Sequence, residues 1–204
     1  MILKHSSCFL ASFLFLLFSA CSQNTSKQKT NGSPVEVKTQ TGASVIAEQS
    51  ERDSIKGSIK SEATGKIGSA NIRILYTSPA VRGRAIWGKL VPFNKVWVTG
   101  AHNATSIETD REISIGGTKI PAGKYAFFTI PAPDEWTVII NKNWEQHQAD
   151  KYSQEEDLLR LNVKPQMGKK NQERLRYQVV RKGGDKGKIV MSWEKTRIEV
   201  PVRE

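Results

Sequence analysis

Apolar and polar residues alternate with a period of two through most of the chain after residue 55. Ile72, Ile74 and Tyr76, for example, share one face of a predicted strand, because successive side chains of a strand point to opposite faces. The same alternation recurs in the segments 125–130, 136–141, 159–163, 175–179, 189–193 and 198–202. Both faces of the segment 125–130 are apolar, which predicts a central strand that is covered on both sides.

Turn-forming residues separate these segments. Gly116-Gly117 lies between two short apolar arms, and paired glycines accept the positive φ angles of a tight hairpin. Pro, Gly and Asp mark further corners at 121–123, 131–134 and 183–185. Ser153 and Glu156 have the spacing of a capping box, which predicts one or two helical turns. We therefore predict an all-β domain over residues 55–204, an antiparallel β-sandwich of jelly-roll-like or related topology with at most one short helix.

The N-terminal segment 1–20 has a different pattern, with Lys4 near its start and a nearly continuous apolar run over 8–20. This is typical of a secretory signal peptide, and the run is shorter than the roughly 20 residues of a membrane-spanning helix. It ends in the letters LFSAC, which resemble a bacterial lipobox. We expect Cys21 to carry diacylglycerol and a further chain such as palmitate, and several chains form a durable anchor. A cleaved signal that happens to contain a cysteine is the alternative.

Residues 21–54 join the expected lipid anchor to the predicted domain. They are rich in Ser, Thr, Gln, Lys and Gly and contain no aromatic residue, which predicts a flexible tether of about 30 Å as a relaxed coil. Cys8 leaves with the signal and Cys21 is capped, so we expect neither a disulfide nor a free thiol in the mature chain. These features predict a lipid-anchored protein of a Gram-negative cell envelope that faces the periplasm.

The predicted domain is strongly basic. The sequence has 31 Lys and Arg and 20 Asp and Glu residues, of which five and four precede residue 55, so the domain has 26 basic and 16 acidic residues and a formal charge of +10. Such a charge often indicates nucleic-acid binding, but export argues against that partner. Anionic lipid or glycan surfaces of the envelope are the partners in reach. Charge that only keeps the domain soluble is the alternative.

The C-terminal third holds many of these cations. Arg174 and Arg176 share a predicted strand face opposite Leu175 and Tyr177. The residues expected to contact an anionic surface are Arg174, Arg176, Arg181 and Lys182. Salt would weaken such a contact, and a solvated outer face without a partner is the alternative.

Several ungapped motifs point to a family. They are Ser78–Phe93 (SPAVRGRAIWGKLVPF), Val96–Thr105 (VWVTGAHNAT), Gly116-Gly117, Pro121–Ala126 (PAGKYA), Trp136–Lys142 (WTVIINK) and Ser192–Thr196 (SWEKT). With these motifs the chain resembles, over roughly residues 65–202, the exported bacterial family catalogued as domain of unknown function 2911. The resemblance implies an envelope-located β domain and no particular reaction. Two positions depart from the family's central motif, because Val98 stands in place of an arginine and His102 in place of an asparagine.

The segment 97–105 around these two positions carries candidate binding chemistry. His102 is a candidate general base near neutral pH, and the amide of Asn103 can hydrogen-bond a ligand. Trp144 lies in a polar segment and is the best candidate indole for stacking on a sugar. The full candidate set for ligand binding is Trp97, Thr99, His102, Asn103, Thr105 and Trp144. The alternative is a loop that only turns the chain, with Trp144 covering one end of the sandwich.

Two functional interpretations stay open. The first is a membrane-anchored envelope lipoprotein whose domain binds glycan, lipid or protein, or serves structurally, without catalysis. The second is a hydrolase of envelope or imported glycans that uses His102. We assign no catalytic residue, metal ligand or cofactor, because only His102 and His147 remain in the mature chain, without ligand spacing, and no nucleophile elbow or phosphate loop occurs. A pocket shared by His102, Asn103, Trp144 and a carboxylate favours the hydrolase.

Overall fold

The computed structural model describes residues 55–204, in which alternating sequence patterns give ten strands. They are β1 (Ile59–Ile67), β2 (Ala70–Ser78), β3 (Ser106–Thr109), β4 (Ile113–Ile115), β5 (Thr118–Ile120), β6 (Gly123–Ile130), β7 (Trp136–Asn141), β8 (Asp157–Val163), β9 (Gln166–Gly183) and β10 (Lys186–Arg203). The predicted signal, the expected acylation at Cys21 and the predicted tether fall on residues 1–54 and lie outside the described residues.

The strands form two antiparallel sheets. One sheet has six strands in the order β1-β2-β3-β6-β7-β8, and the other has four in the order β5-β4-β10-β9. Neighbouring strands are antiparallel in every pair of both sheets. The prediction of an all-β antiparallel sandwich is therefore confirmed.

The main hydrophobic core lies between the sheets. On β2, Ile72 and Ile74 are buried in this core, whereas Arg73 between them is exposed. Trp136 from one sheet and Trp193 from the other are 2% and 1% exposed. Burial of apolar surface stabilises a fold by roughly 25 cal/mol per Å², so these interlocking side chains are the main source of stability.

Glycine lets β1 and β9 approach closely at one side of the sandwich. A Cβ atom placed on Gly65 would lie 2.7 Å from the Cβ of Val179, which is far inside the optimal carbon–carbon separation of about 3.5–4.0 Å. A Cβ on Gly187 would likewise lie 2.6 Å from Cδ1 of Ile67. Any side chain at position 65 or 187 would therefore push the two sheets apart.

β10 reverses direction near Glu194, where φ is +56°. Lys188 Nζ lies 2.6 Å from Glu199 Oε1, and Glu204 N donates a hydrogen bond to Asp185 O at 3.0 Å. A straight strand from residue 188 to residue 199 would span about 36 Å, so the two halves of β10 lie side by side. β9 pairs with β10 from Lys186 to Arg197, with register shifts around Glu194, and the end of β10 pairs with β4.

A second, smaller apolar cluster lies on the outer face of the six-stranded sheet, which is the face turned away from the main core. Its buried members are Val98, Ala126, Phe128 and Ile139, and Trp144 and Tyr152 pack against them. Phe127, between two of these residues, belongs to the main core. The prediction that the segment 125–130 is covered on both faces is therefore confirmed.

The prediction of one or two helical turns after Ser153 is wrong, because the helical segment is shorter. The structure has a 3-10 turn of three residues, Gln154–Glu156, and the Ser153 side chain makes no capping hydrogen bond. The Ser153 carbonyl instead accepts a hydrogen bond from the amide of Asn141 at 2.9 Å. Because β8 begins at the next residue, Asp157, the segment is too short to pass the costly nucleation of a helix and only directs the chain into the strand.

Candidate functional site

An open groove of about 490 Å³ lies on the outer face of the six-stranded sheet. Its floor includes Lys60, Leu75, Thr77 and Ser106. Lys60 pairs with Thr77 between β1 and β2, and Leu75 pairs with Ser106 between β2 and β3. Directly paired residues project to the same face of a sheet, and this face is the outer one because Tyr76, between Leu75 and Thr77, is buried in the main core.

The wall of the groove is the segment 144–147 of the connection between β7 and β8. Asn103 and His147 form an antiparallel bridge, and Ala104 N donates a hydrogen bond to Gln146 O at 3.0 Å. These contacts fasten the wall to the loop that leads into β3. The groove is thus built from three strands and two loops that are distant in the sequence.

Two buried amides hold the β7–β8 connection in shape. The Gln146 side chain is 6% exposed, donates to Asn143 O at 2.5 Å and accepts from Lys151 N at 3.1 Å. The fully buried Asn141 donates to Asp157 Oδ1 at 2.8 Å and accepts from Asn143 N at 2.9 Å. Buried polar groups that are fully hydrogen-bonded make a segment rigid, so the wall is preformed.

Trp144 borders the groove and is half-buried on the second apolar cluster. The Nζ atom of Lys124 lies 3.6 Å from the centroid of its ring, which is a cation–π contact. One face of the indole is therefore covered by a cation, and Trp144 offers a ligand its remaining surface. The prediction placed this residue in a polar, accessible segment, and the structure puts it beside Asn103 in the groove.

Several polar side chains of the groove have unused hydrogen-bonding capacity. Lys60, Asn103 and Glu145 are exposed, Thr77 is half-buried and Ser106 is 5% exposed. Within residues 55–204 none of these five side chains forms a hydrogen bond or ion pair with another residue. His147 differs, because its Nδ1 lies 3.5 Å from Asp150 Oδ2. The groove thus offers hydroxyl, amide, ammonium and carboxylate groups to a ligand.

His102 does not line the groove, although its neighbour Asn103 does. His102 has a left-handed backbone with φ of +64° and an exposed side chain. Its carbonyl accepts a hydrogen bond from Gln148 N at 2.6 Å, which is a further link between the two loops. The lining of the groove therefore includes Asn103 and Trp144 but not the candidate general base.

Thr99 and Thr105 are fully buried and hold the loop before β3 in place. Thr99 has an unusual φ of +51° for a β-branched residue. Its carbonyl accepts hydrogen bonds from Thr105 Oγ1 at 3.0 Å and from Tyr177 Oη at 2.9 Å. Complete burial raises the pKa of Tyr177 well above its usual range, so this phenol stays a proton donor. These threonines stabilise a strained turn and do not reach the groove.

Trp97 lies in a cluster of indoles with Trp87 and Trp193. Its ring stacks on Trp193 with centroids 5.7 Å apart, and Trp87 meets both rings edge-on. The Trp97 Nε1 donates to Gly100 O at 3.0 Å. Trp97 therefore packs the core and fixes the turn at Gly100, rather than facing a ligand.

The four cations expected at an anionic surface do not share one face. Arg174 is 5% exposed, and its guanidinium donates to the carbonyls of Ser78, Gly57 and Ile55 at 3.1, 3.3 and 2.9 Å. It is therefore a structural residue, which corrects its placement at an exposed surface. Arg176 is half-buried, whereas Arg181 and Lys182 are exposed at the far end of β9.

The lining of the groove holds few groups that could take part in hydrolysis. Its lining contains a single carboxylate, that of Glu145, whereas glycoside hydrolysis ordinarily needs two carboxyl groups on either side of the bond. No hydrogen bond joins His147 to a serine in the described part of the chain. There is also no group of three His, Cys, Asp or Glu residues between residues 55 and 204 that could hold a metal ion.

An antiparallel β-sandwich with an open polar groove on one outer face is thus the class of protein that the geometry defines. The chain belongs to the family described as a protein of unknown function (DUF2911), whose model matches residues 58–202. No curated protein and no solved structure gives a significant match. In the described part of the chain, no helix has the length and apolar character needed to span a membrane.

Proposed function

We propose that this protein is a membrane-anchored lipoprotein of the cell envelope whose domain binds carbohydrate, without catalysis, in the groove between Asn103 and Trp144. The observation that carries the proposal is the composition of the groove. Amide, hydroxyl and charged side chains line the groove together with the apolar surfaces of Leu75 and Trp144, and a sugar presents hydroxyl groups around an apolar ring face.

Each part of the groove matches a part of a sugar. The Asn103 amide both donates and accepts hydrogen bonds, and Thr77 and Ser106 add hydroxyl groups of the same versatility. Leu75 on the floor can pack against a ring face. Because buried amides hold the wall rigid, little conformational entropy is lost when a ligand binds. The groove is open along the sheet, which suits a polysaccharide chain better than a small enclosed ligand.

The positions of the titratable groups support a role without catalysis. His102 lies outside the groove, and Glu145 is the only carboxylate in the lining. A hydrolase would need a second carboxylate or an activated nucleophile near the bound bond. The hydrolase alternative therefore has no support from the residues that line the groove.

The location in the envelope rests on the lipobox-like sequence that ends in Cys21. Acylation there would supply membrane lipid as the first partner and would place the domain on the periplasmic side, away from nucleic acid. The measurement is incorporation of a labelled palmitate into the full chain and into Cys21→Ala. Label in the parent chain only supports the anchor, and equal label in both chains contradicts it.

The binding proposal is tested by thermal shift of the full-length protein against envelope and imported polysaccharides, since a ligand that binds the folded state raises its melting temperature. We expect one class of glycan to stabilise the protein, and Asn103→Ala combined with Glu145→Ala to abolish the shift. The control combines Asp134→Ala with Lys66→Ala, two exposed residues away from the groove. No shift with any glycan, or an unchanged shift in the groove variant, would contradict the proposal.

A further inference from the structure

Three large apolar side chains are exposed within residues 55–204, and all three lie toward one end of the domain. Ile55, Leu90 and Met167 are 51%, 45% and 69% exposed. Single exposed apolar residues are ordinary in proteins, but their grouping calls for an explanation. We call this end the tether pole, because Ile55 is the point at which residues 1–54 join the described domain.

Backbone contacts bring Ile55 to the loop that follows β2 and to β9. The guanidinium of Arg82 donates to the carbonyls of Ile55 and Gly57. The backbone of the same residue donates to Glu173 Oε1 at 2.8 Å, and Val81 N donates to Glu173 O, also at 2.8 Å. The start of the domain, the loop 81–91 and the middle of β9 therefore meet.

Further contacts bring Leu90 and Met167 to this pole. Leu90 lies three residues after Trp87, whose ring is 5.7 Å from that of Trp193. Past Trp193 the chain reverses at Glu194 and meets the start of β9, where Met167 pairs with Thr196. The loop 81–91 and the start of β9 thus both lie at the end of the core where β10 reverses.

The charge of the tether pole is almost entirely positive. Its exposed lysines include Lys56, Lys89, Lys169 and Lys195, and none of these four forms an ion pair with a residue of the range 55–204. Two acids lie in the same segments, Glu173 on β9 and Glu194 on β10. Both are half-buried, and Glu173 accepts a hydrogen bond from the backbone of Arg82. Exposed apolar side chains with lysines beside them in the sequence are the composition of a surface that adsorbs to anionic lipid.

We propose that the tether pole rests on an anionic bilayer, with Leu90 and Met167 among the lipid headgroups and the lysines against lipid phosphates. The inference uses the membrane anchor proposed above, but it does not depend on the glycan groove. Residues 1–54 join the domain at this pole, so an anchor at Cys21 with the tether length predicted from the sequence, about 30 Å, would keep the pole near the lipid. Docking there leaves the groove, on the outer face of a sheet, open to the periplasm.

The test places a fluorescent probe at chosen positions of the full chain in vesicles. An environment-sensitive dye is attached to a single new cysteine in each of three variants, Leu90→Cys, Met167→Cys and the control Lys186→Cys. The parent chain, labelled in the same way, gives the background signal from its own cysteines. Lys186 is exposed in the β9–β10 turn, about 30 Å along β9 from the pole. Vesicles of phosphatidylcholine with or without phosphatidylglycerol carry brominated lipids as quenchers.

We expect the probes at positions 90 and 167 to be quenched in anionic vesicles and the probe at 186 to remain unquenched. The triple change of Lys89, Lys169 and Lys195 to Gln should reduce quenching at 90 and 167 to the level of the 186 control. The matched triple change of Arg181, Lys182 and Lys186 to Gln should leave it unchanged. Equal quenching in neutral and anionic vesicles, or an effect of the second triple variant only, overturns the proposal.

Flotation of the protein with the vesicles reports the anchor independently of the probes. If the protein floats with the vesicles and the probes at 90 and 167 match the control at 186, the pole contact is overturned and the anchor stands. If the protein fails to float, both the anchor and the pole contact are contradicted.

Discussion

Asn103 and His147 face each other in an antiparallel bridge between the loop before β3 and the connection from β7 to β8. This bridge gives the groove its wall, because it holds the segment 144–147 above the floor residues Thr77 and Ser106. It also explains why Asn103 faces the groove while its neighbour His102, with a left-handed backbone, does not.

The hydrogen bonds to the Thr99 carbonyl predict a non-additive pair of substitutions. Thr105→Val and Tyr177→Phe each remove one of the two donors and should each lower the free energy of unfolding by about 1 kcal/mol. The double variant leaves a buried carbonyl without a donor, so its loss should exceed the sum of the single losses by about 1 kcal/mol. Urea denaturation of the three variants and the parent chain measures the coupling, and strict additivity would show that the two bonds act independently.

The close approach of β1 and β9 predicts a size limit at Gly65. Gly65→Ala should destabilise the protein by about 1–3 kcal/mol, because the added Cβ overlaps the Val179 side chain. Val179→Ala in the same chain removes Cγ1, which would lie 2.9 Å from the added Cβ, but keeps the Val179 Cβ, so it should recover only part of the loss. Gly168→Ala is the control, since its added Cβ would lie no closer than 3.5 Å to any atom. Thermal unfolding checks the series, and an equal loss at positions 65 and 168 would contradict the packing argument.

The ion pairs of the Glu199 carboxylate predict a contribution to the free energy of unfolding that disappears in acid. Its pKa lies below the usual value of 4.5, mainly because Lys188 donates a hydrogen bond to its carboxylate, with further donation from Arg197. A carboxyl group with a lowered pKa in the folded state stabilises the protein fully above its unfolded pKa, and the contribution is lost as the pH falls through the folded value.

The corresponding measurement is urea denaturation of the parent chain and Glu199→Gln between pH 7 and pH 3. The variant should be less stable at pH 7, and the difference should shrink as the pH falls below about 4.5. Glu155→Gln, at an exposed position without an ion pair to any residue of the range 55–204, should track the parent at every pH. A difference between the parent chain and Glu199→Gln that is constant across this range would show that the ion pair does not contribute.

The sheet fold could be predicted because apolar and polar residues alternate clearly along strands such as β2. β1 escaped prediction because the inward positions between its two end isoleucines are Ser61, Ala63 and Gly65. These small residues let β1 pack closely against β9 but give no apolar alternation that reveals a strand. The reversal of β10 could not be predicted either. Glu194 adopts the positive φ of the turn, and no glycine stands there to indicate it.

The candidate site was predicted in part. Trp144 and Asn103 were recognised as polar-loop residues and do line the groove, whereas Trp97, Thr99 and Thr105 stabilise the loop from within the core. Lys60, Thr77 and Ser106 carry no local signal, because isolated polar residues on the outer face of a strand are common. Only the register of β1, β2 and β3 brings these three floor residues together.

The most direct test of the central claim is to fill the groove. Thr77→Trp places an indole on the floor, and Thr64→Trp is the matched control on the outer face of β1, outside the groove. Isothermal titration calorimetry of the full-length variants with the most stabilising glycan should show binding at least about tenfold weaker for Thr77→Trp and unchanged for Thr64→Trp, with similar melting temperatures for both. Unweakened binding to Thr77→Trp would contradict the account, because the ligand would then lie elsewhere on the domain.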